Sequence, residues 1–334
     1  MIRSLNVDRG ACHPTIMNAL KKVIIIVLFL LMVPVSVLLA YAYTQSQHED
    51  RGWDIVLYGI TYRDKHPRVV IDRAHHNAHT ARGKYRPFAE MLRMDGCEVK
   101  NGLHRFSQDS LEKTRLLVIV NAAGAGHPTL MGINLPIQQK GEREDPAFSS
   151  AEIEAVRTWV ENGGSLLLIA DHSPYGAASA KLAEAFGVHM HQGFTEIPDE
   201  KSDPMEFSRE NQRLADHAIV NGTDSSTAVN RIYTFTGQSL DGPANATVLM
   251  SLPANAIEYV PVGSGEGRQE MKEEKAGNAQ GLAFEYGKGR VVVLGEAAML
   301  TAQVYKDDHF GMNTPGCDNQ QFALNIVHWL MRTI

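Results

Sequence analysis

The sequence contains little cysteine. Only Cys12, Cys97 and Cys317 occur among 334 residues, and no two of them have the C-x-x-C spacing. A disulfide framework or a zinc site built from thiolates is therefore not expected. The sequence also lacks a long block of lysine and arginine, and its net charge is -6. Because a protein that binds duplex nucleic acid needs a basic surface to neutralise phosphates, nucleic acid is not an expected partner.

One long segment near the N-terminus has no charged residue. It runs from Val23 to Thr44 and matches the ~20 residues that a helix needs to cross a bilayer. Four positive charges precede it, namely Arg3, Arg9, Lys21 and Lys22, and His48-Glu49-Asp50 follow it. The positive-inside rule therefore predicts a cytoplasmic tail at 1–22, a transmembrane signal anchor at 23–44 and a main domain outside the cytoplasm, in the periplasm or at the cell surface. The expected partner of this segment is the membrane.

A cleaved signal peptide is the alternative for the same segment. Ala40-Tyr41-Ala42 has the A-x-A form of a cleavage site. Against this interpretation, the apolar run exceeds the ~7 to 15 residues of a usual signal-peptide core. Both interpretations place the main domain outside the cytoplasm.

The remainder of the chain predicts a short polar linker at 45–66 and one α/β domain at 67–334. Apolar runs predict core strands, and amphipathic stretches between them predict helices. The predicted strands are 68–71, 116–120, 166–170 and 291–294, and the predicted helices are 85–94, 149–161, 176–186 and 319–331. This alternation is typical of a doubly wound, mainly parallel, flavodoxin-like sheet. From about 190 to 280 the regularity fails, which indicates an irregular insertion or a cap.

Polar side chains follow the predicted core strands. Asp72 and His75 follow the first strand, Asn121 the second, Asp171 and His172 the third, and Glu296 the last. Because ligands of open α/β sheets bind beyond the carboxyl ends of the strands, these residues are the candidate site.

Three interpretations of this set remain open. Asp72 and His75, alone or with Asp171, His172 and Glu296, form a carboxylate and imidazole set suited to a divalent metal such as Zn, Mn or Fe. Without a metal, Asp171, His172 and Glu296 form an acid–base centre. In the third interpretation the acids only cap turns and the histidines lie on the surface. Four amide side chains are the candidate substrate-binding groups: Asn77 and Asn121 at this edge, and Asn313 and Gln320 if the loop before the last helix folds over it.

Several motifs resemble a known superfamily. They are DRAHHNAHT, GGSLLLIADHSPYGAASAKLAEAFGV, GKGRVVVLGEAAML, GMN and NQQFALNIVHWL. Together they resemble a group of mostly uncharacterised bacterial proteins in the class I glutamine amidotransferase-like superfamily, in the branch with ThuA-like and GldG-like domains. The likeness covers about 69–330. It implies an amidotransferase-like fold, whereas a shared fold does not fix an activity.

The sequence departs from the glutaminases of that superfamily at one position. Those enzymes carry a cysteine on a tight strand-to-helix turn, and here the corresponding turn is Ala170-Asp171-His172-Ser173. Cysteine-dependent glutamine hydrolysis is therefore not expected. We expect a hydrolase, with or without a metal, that acts on a small or envelope-derived substrate. The alternative is a non-catalytic module that binds a glycan or peptide, or serves as one component of an envelope or transport assembly.

The anchor prediction can be tested on membranes. The full-length chain is expected to stay in carbonate-washed membranes, because a charge-free segment of this length stabilises a transmembrane helix. Release of a chain shortened to begin after Ala42 would instead identify a cleaved signal peptide. Immunoblotting of the washed pellet and the supernatant separates the two outcomes.

Overall fold

The computed structural model describes residues 46–124, 146–198, 203–235, 237–262 and 270–334, with short stretches at 21–25, 28, 32–34, 129–130, 133–134 and 200. The chain divides into two compact units, Met1–Gln47 and His48–Ile334. In the first unit, residues 21–25, 28 and 32–34 are helical. Within the described residues, no helix combines the length and the apolar character that crossing a bilayer requires. Most of the predicted span at 23–44 lies outside the described residues, so the anchor stays a prediction.

The second unit alternates strands and helices. Its strands are β1 (His48–Glu49), β2 (Arg68–Asp72), β3 (Glu98–Gly102), β4 (Leu116–Val120), β5 (Thr129–Leu130), β6 (Ile133–Asn134), β7 (Ser165–Ile169), β8 (His189–Met190), β9 (Phe194–Glu196), β10 (Met205–Ser208), β11 (Arg231–Thr234), β12 (Leu240–Asp241), β13 (Thr247–Ser251), β14 (Ile257–Val262), β15 (Glu270–Lys275), β16 (Ala279–Tyr286), β17 (Gly289–Leu294), β18 (Ala302–Tyr305) and β19 (Asp308–Gly311). Its helices are α1 (Arg86–Met94), α2 (Gln108–Leu111), α3 (Ser150–Glu161), α4 (Tyr175–Glu184), α5 (Ala218–Asn221) and α6 (Asn319–Leu330), with short 3₁₀ turns at Gly83–Tyr85 and Ala298–Leu300.

The central sheet has nine strands, in the order β3-β2-β4-β7-β17-β16-β12-β8, with β13 also paired to β16. The strands from β3 to β17 are parallel, and the four others pair antiparallel. The α/β class is therefore confirmed. The predicted mainly parallel character applies to one half of the sheet, because the antiparallel strands form the other half.

Helices cover both faces of the parallel half. Alternate residues of a strand point to opposite faces, so Leu116 and Val118 join one buried cluster while Leu117 and Ile119 join the other. The first cluster includes the apolar residues of α1 and α6, and the second includes those of α3 and α4. Burial on both faces explains why the sequences of β4 and β7 are almost continuously apolar.

Helix α3, which the sequence predicts, begins with a capping box. Ser149 accepts a hydrogen bond from the backbone N–H of Glu152, and the Glu152 side chain accepts one from the backbone N–H of Ser149. The reciprocal bonds satisfy two backbone donors that a helix start otherwise leaves unpaired.

The segment from 190 to 280, in which the sequence did not locate the strands, contains several antiparallel strands. β8, β12 and β13 extend the central sheet, β10 and β11 form a hairpin, and β9, β14 and β15 form a separate three-stranded sheet. Its outer strand β15 is exposed along its whole length, which accounts for its charged sequence.

Residues 48–66, predicted as a polar linker, belong to the same compact unit as the sheet. β1 pairs with β18, and Trp53, Ile55 and Leu57 pack against the first buried cluster. Alternate spacing of these three apolar residues is the sequence signal for this packing.

Removal of a buried leucine from the sheet is expected to destabilise the unit strongly. Leu168→Ala empties a fully buried position in β7 and should cost about 2–5 kcal/mol of unfolding free energy. The matched control is Leu103→Ala, because Leu103 is 61% exposed and its truncation should cost less than about 0.5 kcal/mol. Urea unfolding followed by circular dichroism measures both. Equal losses for the two variants would contradict the assigned core.

Candidate functional site

The carboxyl ends of the parallel strands meet at one edge of the sheet, as predicted. β2 lies next to β4, β4 next to β7, and β7 next to β17, all in parallel register. The strand order also reverses here, because β3 lies on one side of β2 and all later parallel strands lie on the other. Such a switch point is where doubly wound sheets bind ligands.

Asp171 is the most connected group at this edge. Asn121 donates from Nδ2 to Asp171 Oδ2 at 2.7 Å and accepts at Oδ1 from the Asp171 backbone N–H at 2.9 Å. The backbone N–H of Ala297 donates to Asp171 Oδ1 at 2.6 Å. Asn121 has a φ of 46°, a left-handed conformation that asparagine adopts more readily than most residues. Asp171 thus joins the ends of β4, β7 and β17.

Glu296 is fully buried and lies near Asp171. Its two carboxylate oxygens accept hydrogen bonds from the backbone N–H groups of Ala298 at 2.8 Å and Met299 at 2.7 Å. Burial, and then the nearby charge of Asp171, raise the pKa of Glu296 well above its ordinary value. Burial likewise raises the pKa of Asp171, although its hydrogen bond from Asn121 opposes this. The charge of Asp171 therefore disfavours ionisation of Glu296.

The loop after β2 adds a cation that the sequence interpretation missed. Burial lowers the pKa of Lys84, and the charge of Asp171 opposes this shift. Burial and the charge of Lys84 lower the pKa of His79 to about 3, so this imidazole is neutral near pH 7. His79 also stacks on Tyr85, with ring centroids 5.1 Å apart, and Tyr85 donates to the carbonyl of Ala297 at 2.8 Å. Lys84 lies in the 3₁₀ turn just before α1, beyond the strand-end residues that the sequence predicted as the site.

His172 is held in a defined orientation. Its Nδ1 lies 2.8 Å from the carbonyl oxygen of Ser173, and its ring stacks on Phe194 with centroids 4.0 Å apart. Because a carbonyl oxygen only accepts, Nδ1 carries the proton, and Nε2 is the nitrogen with a lone pair in the neutral ring. His172 is half-buried, so the imidazole remains accessible at the edge of the sheet.

The segment from 190 to 280 also contributes to this site. Buried Gln238 donates from Nε2 to the carbonyl oxygens of Ala170 at 2.8 Å and Asp171 at 3.1 Å. Its Oε1 accepts from the backbone N–H of Gln192 at 2.7 Å. Gln238 and Phe194 lie in the segment that the sequence left unassigned, and neither carries a sequence signal that would have marked it as functional.

Asp72 and His75 form a separate, buried ionic group with Glu152. Nδ1 of His75 lies 2.8 Å from Asp72, and Nε2 lies 2.8 Å from Glu152. Phe106 and Phe148 enclose the ring, at 4.6 and 4.7 Å between centroids. Burial lowers the pKa of His75, but hydrogen bonds and charges of the two acids outweigh this and raise it above the ordinary value. His75 therefore acts as a positive centre that joins β2 to α3.

The four predicted substrate-binding amides divide into two groups. Asn121 is bonded to Asp171, as described above, and Asn77 donates to the carbonyl of Val120 at 3.2 Å. Asn313 instead donates to Asp50 at 2.9 Å, and Gln320 donates to the carbonyl of Val56. Because Asn313 and Gln320 hold the segment that precedes β2, their predicted role in substrate binding gains no support from these contacts.

A metal site also gains no support. Across the part of the chain that the structure describes, no group of three or more histidine, cysteine, aspartate or glutamate side chains is arranged to hold a metal ion. The contacts explain why, since both ring nitrogens of His75 face carboxylates and both oxygens of Glu296 accept backbone hydrogen bonds. The metal assignment of Asp72 and His75, alone or with the Asp171 group, stays a prediction.

Comparison with known proteins adds information on the fold. No family model and no curated protein matches the sequence. Among solved structures, the mmIFT52 N-terminal domain is similar, with a TM-score of 0.54 and 13% identity over 79% of this chain and 97% of that one. A ThuA-like protein from Bacteroides uniformis has a TM-score of 0.40 and 11% identity over 84% of this chain and 95% of that one. A GMP synthase-like protein from Thermoplasma acidophilum has a TM-score of 0.39 and 10% identity over 80% of this chain and 94% of that one.

These similarities do not support the same conclusions. The similarity to the mmIFT52 domain shows a shared fold alone, because the identity is low. The two amidotransferase-like similarities are too weak to carry an argument about function. The chain is thus an α/β protein whose site must be interpreted from its own residues.

The buried ionic group predicts a bell-shaped pH dependence of its stabilising effect. Burial raises the pKa of Glu152, but hydrogen bonds from His75 and Ser149 outweigh it and lower the pKa to about 2. The contribution of Glu152 is therefore present above its unfolded pKa and lost as the pH falls towards about 2. The pKa of His75 is raised, so its contribution is present below about pH 6.5 and lost as the pH rises through the raised value.

The substitution Glu152→Gln tests this dependence. Near pH 6 it should cost about 3 kcal/mol of unfolding free energy, because it leaves a buried imidazolium short of one partner. The cost should shrink as the pH falls from about 4.5 to about 2, where wild-type Glu152 takes up a proton on unfolding. Glu161→Gln, at an exposed position on the same helix, should cost less than about 0.5 kcal/mol at either pH. A cost for Glu152→Gln that does not change with pH would contradict the assigned ion pair.

Proposed function

We propose that the protein is a membrane-anchored hydrolase with an amidotransferase-like α/β domain outside the cytoplasm. The anchor and its orientation rest on the charge-free segment at 23–44 and its basic flank. The amidotransferase-like assignment rests on the motif resemblance. The observation that carries the hydrolytic activity is the placement of His172, an accessible imidazole with a fixed tautomer, beside Asp171.

In the proposed reaction, Nε2 of His172 accepts a proton from water as the water oxygen attacks the substrate carbonyl carbon or equivalent centre, and the bond from that centre to the leaving group then breaks. Asp171 stabilises the imidazolium electrostatically, since the two charges interact. Lys84, whose pKa burial lowers, is the candidate to stabilise the developing oxyanion or to return a proton to the leaving group. Glu296 is fully buried, so its proposed role is to position Ala298 and Met299 rather than to contact substrate.

The cysteines of the described chain support a mechanism without a thiolate nucleophile. Burial, as the largest cause, raises the pKa of Cys97 to about 12 and that of Cys317 to about 11. Both thiols are therefore protonated at neutral pH. This agrees with the Ala170-Asp171-His172-Ser173 turn, where no cysteine is present.

A non-catalytic ligand-binding module is the second candidate, and the His172–Phe194 stack favours it. The outer face of such a pair of stacked rings suits the apolar face of a sugar or a planar peptide group. In this case the same residues would bind a glycan or peptide without turnover.

A substrate panel separates the two candidates. Purified full-length protein in an uncharged detergent is assayed with p-nitrophenyl esters, amino-acid p-nitroanilides and p-nitrophenyl glycosides. Wild type should hydrolyse at least one class, and His172→Asn should lower kcat/KM by about 100-fold or more, as expected for loss of a general base. His189→Asn is the control, because His189 is an exposed residue of β8.

Two results would contradict the hydrolase. One is equal activity of the two histidine variants, and the other is absence of turnover for every class while glycan or peptide binding depends on His172. Circular dichroism confirms that each variant is folded.

A further inference from the structure

A cleft of about 480 Å³ lies at the opposite edge of the parallel sheet from Asp171. Pro67 and Arg115, which line it, immediately precede β2 and β4, whereas the Asp171 site follows the carboxyl ends of these parallel strands. Met331 and Thr333, just beyond α6, form another part of its wall. The two sites are therefore separated by the length of the strands.

The lining of this cleft is strongly basic. Four cationic side chains line it: Arg63, Lys65, Arg115 and Arg332. Among its lining residues, all of which the structure describes, Asp64 is the one acid. Arg63 and Lys65 are exposed, and no hydrogen bond or ion pair of either side chain occurs within the described residues. An excess of positive charge in a concave site favours an anionic ligand.

A fifth cation adds to this excess. Arg290, at the start of β17, donates to the carbonyl of Trp329 and lies over its ring, 4.6 Å from the centroid. Burial lowers the pKa of Arg290, and the neighbouring charges of Arg332 and Arg115 lower it further. Arg332 and Arg115 are thus close enough to Arg290 for their charges to repel it, and a bound anion would relieve this repulsion.

The acids near the cleft do not neutralise it. Asp95 is buried and already accepts a hydrogen bond from the backbone N–H of Thr61 at 2.7 Å, and it pairs with His328 at 2.8 Å. Glu285 is exposed and lies 3.3 Å from Arg290 and 3.6 Å from Arg332, so its interaction is screened by solvent.

The end of α6 also does not oppose an anion. The last carbonyl groups of a helix carry partial negative charge. Here Arg290 and the backbone N–H of Arg332 donate to the carbonyl of Trp329, and Ser165 Oγ donates to that of Leu330 at 2.6 Å. These bonds satisfy the carbonyl oxygens that would otherwise repel a ligand.

We propose that this cleft binds a phosphate-bearing anion. The planar fork of a guanidinium matches two phosphate oxygens at once, and Lys65 adds a point charge. The chemistry fits a soluble phosphate compound and the phosphate of a lipid headgroup equally. The inference does not depend on the proposed hydrolase, because it uses none of the residues around Asp171.

Titration calorimetry with pyrophosphate tests the inference on the full-length protein in an uncharged detergent. Wild type should bind saturably, and binding should weaken as salt rises. The double variant Arg63→Gln, Lys65→Gln should raise the dissociation constant by ~10-fold or more, since both changed side chains are exposed lining residues. The control variant Lys181→Gln, Lys275→Gln removes two exposed lysines elsewhere and should bind as wild type does.

Mixed micelles identify the source of the phosphate. If phosphatidylglycerol in the micelle displaces pyrophosphate and phosphatidylcholine does not, an anionic lipid headgroup fills the cleft. If neither displaces it, the ligand is a soluble phosphate compound, and both results support the site. Absence of saturable binding by wild type, or equal weakening in the cleft and control variants, would overturn it.

Discussion

The hydrogen bonds of Asp171 hold the carboxyl ends of three parallel strands in one arrangement. They connect the side chain of Asn121 after β4 and the backbone N–H of Ala297 after β17 to the residue that follows β7. Strand ends normally leave backbone groups without ladder partners, and a buried unpaired group is costly. The Asp171 carboxylate therefore stabilises this edge of the sheet and also fixes the direction in which the chain continues to His172.

The same arrangement concentrates negative charge in a region of low dielectric constant. Burial raises the pKa of both Asp171 and Glu296, the charge of Asp171 raises that of Glu296 further, and the charge of Lys84 opposes the shift of Asp171. A site with two carboxyl groups, a half-buried lysine and a neutral histidine of depressed pKa, His79, holds several groups whose pKa values are perturbed. Perturbed groups of this kind are common in functional sites, although structural ion pairs also produce them. The buried Asp72–His75–Glu152 group is such a structural case.

The sequence predicts the parallel half of the fold well because that half has strong periodic signals. Apolar runs mark β4 and β7, a capping box marks α3, and the strand-end positions of Asp171 and Glu296 follow from the parallel order. It could not predict which polar residues meet. His75 and His172 have similar sequence contexts at strand ends, but His75 is enclosed by Phe106 and Phe148 while His172 remains accessible, and only tertiary packing separates these cases.

The segment from 190 to 280 shows a second limit of prediction, and it supplies residues that orient the site. Most of its strands are short or charged, so neither alternation nor apolar runs identify them, yet it contains Gln238 and Phe194. Gln238 holds the carbonyl groups of Ala170 and Asp171, and Phe194 supports the ring of His172. The parallel strands thus place the ionisable groups, and the segment from 190 to 280 holds them in orientation. A change in orientation requires these contacts to break, so the geometry at His172 depends on both parts of the chain.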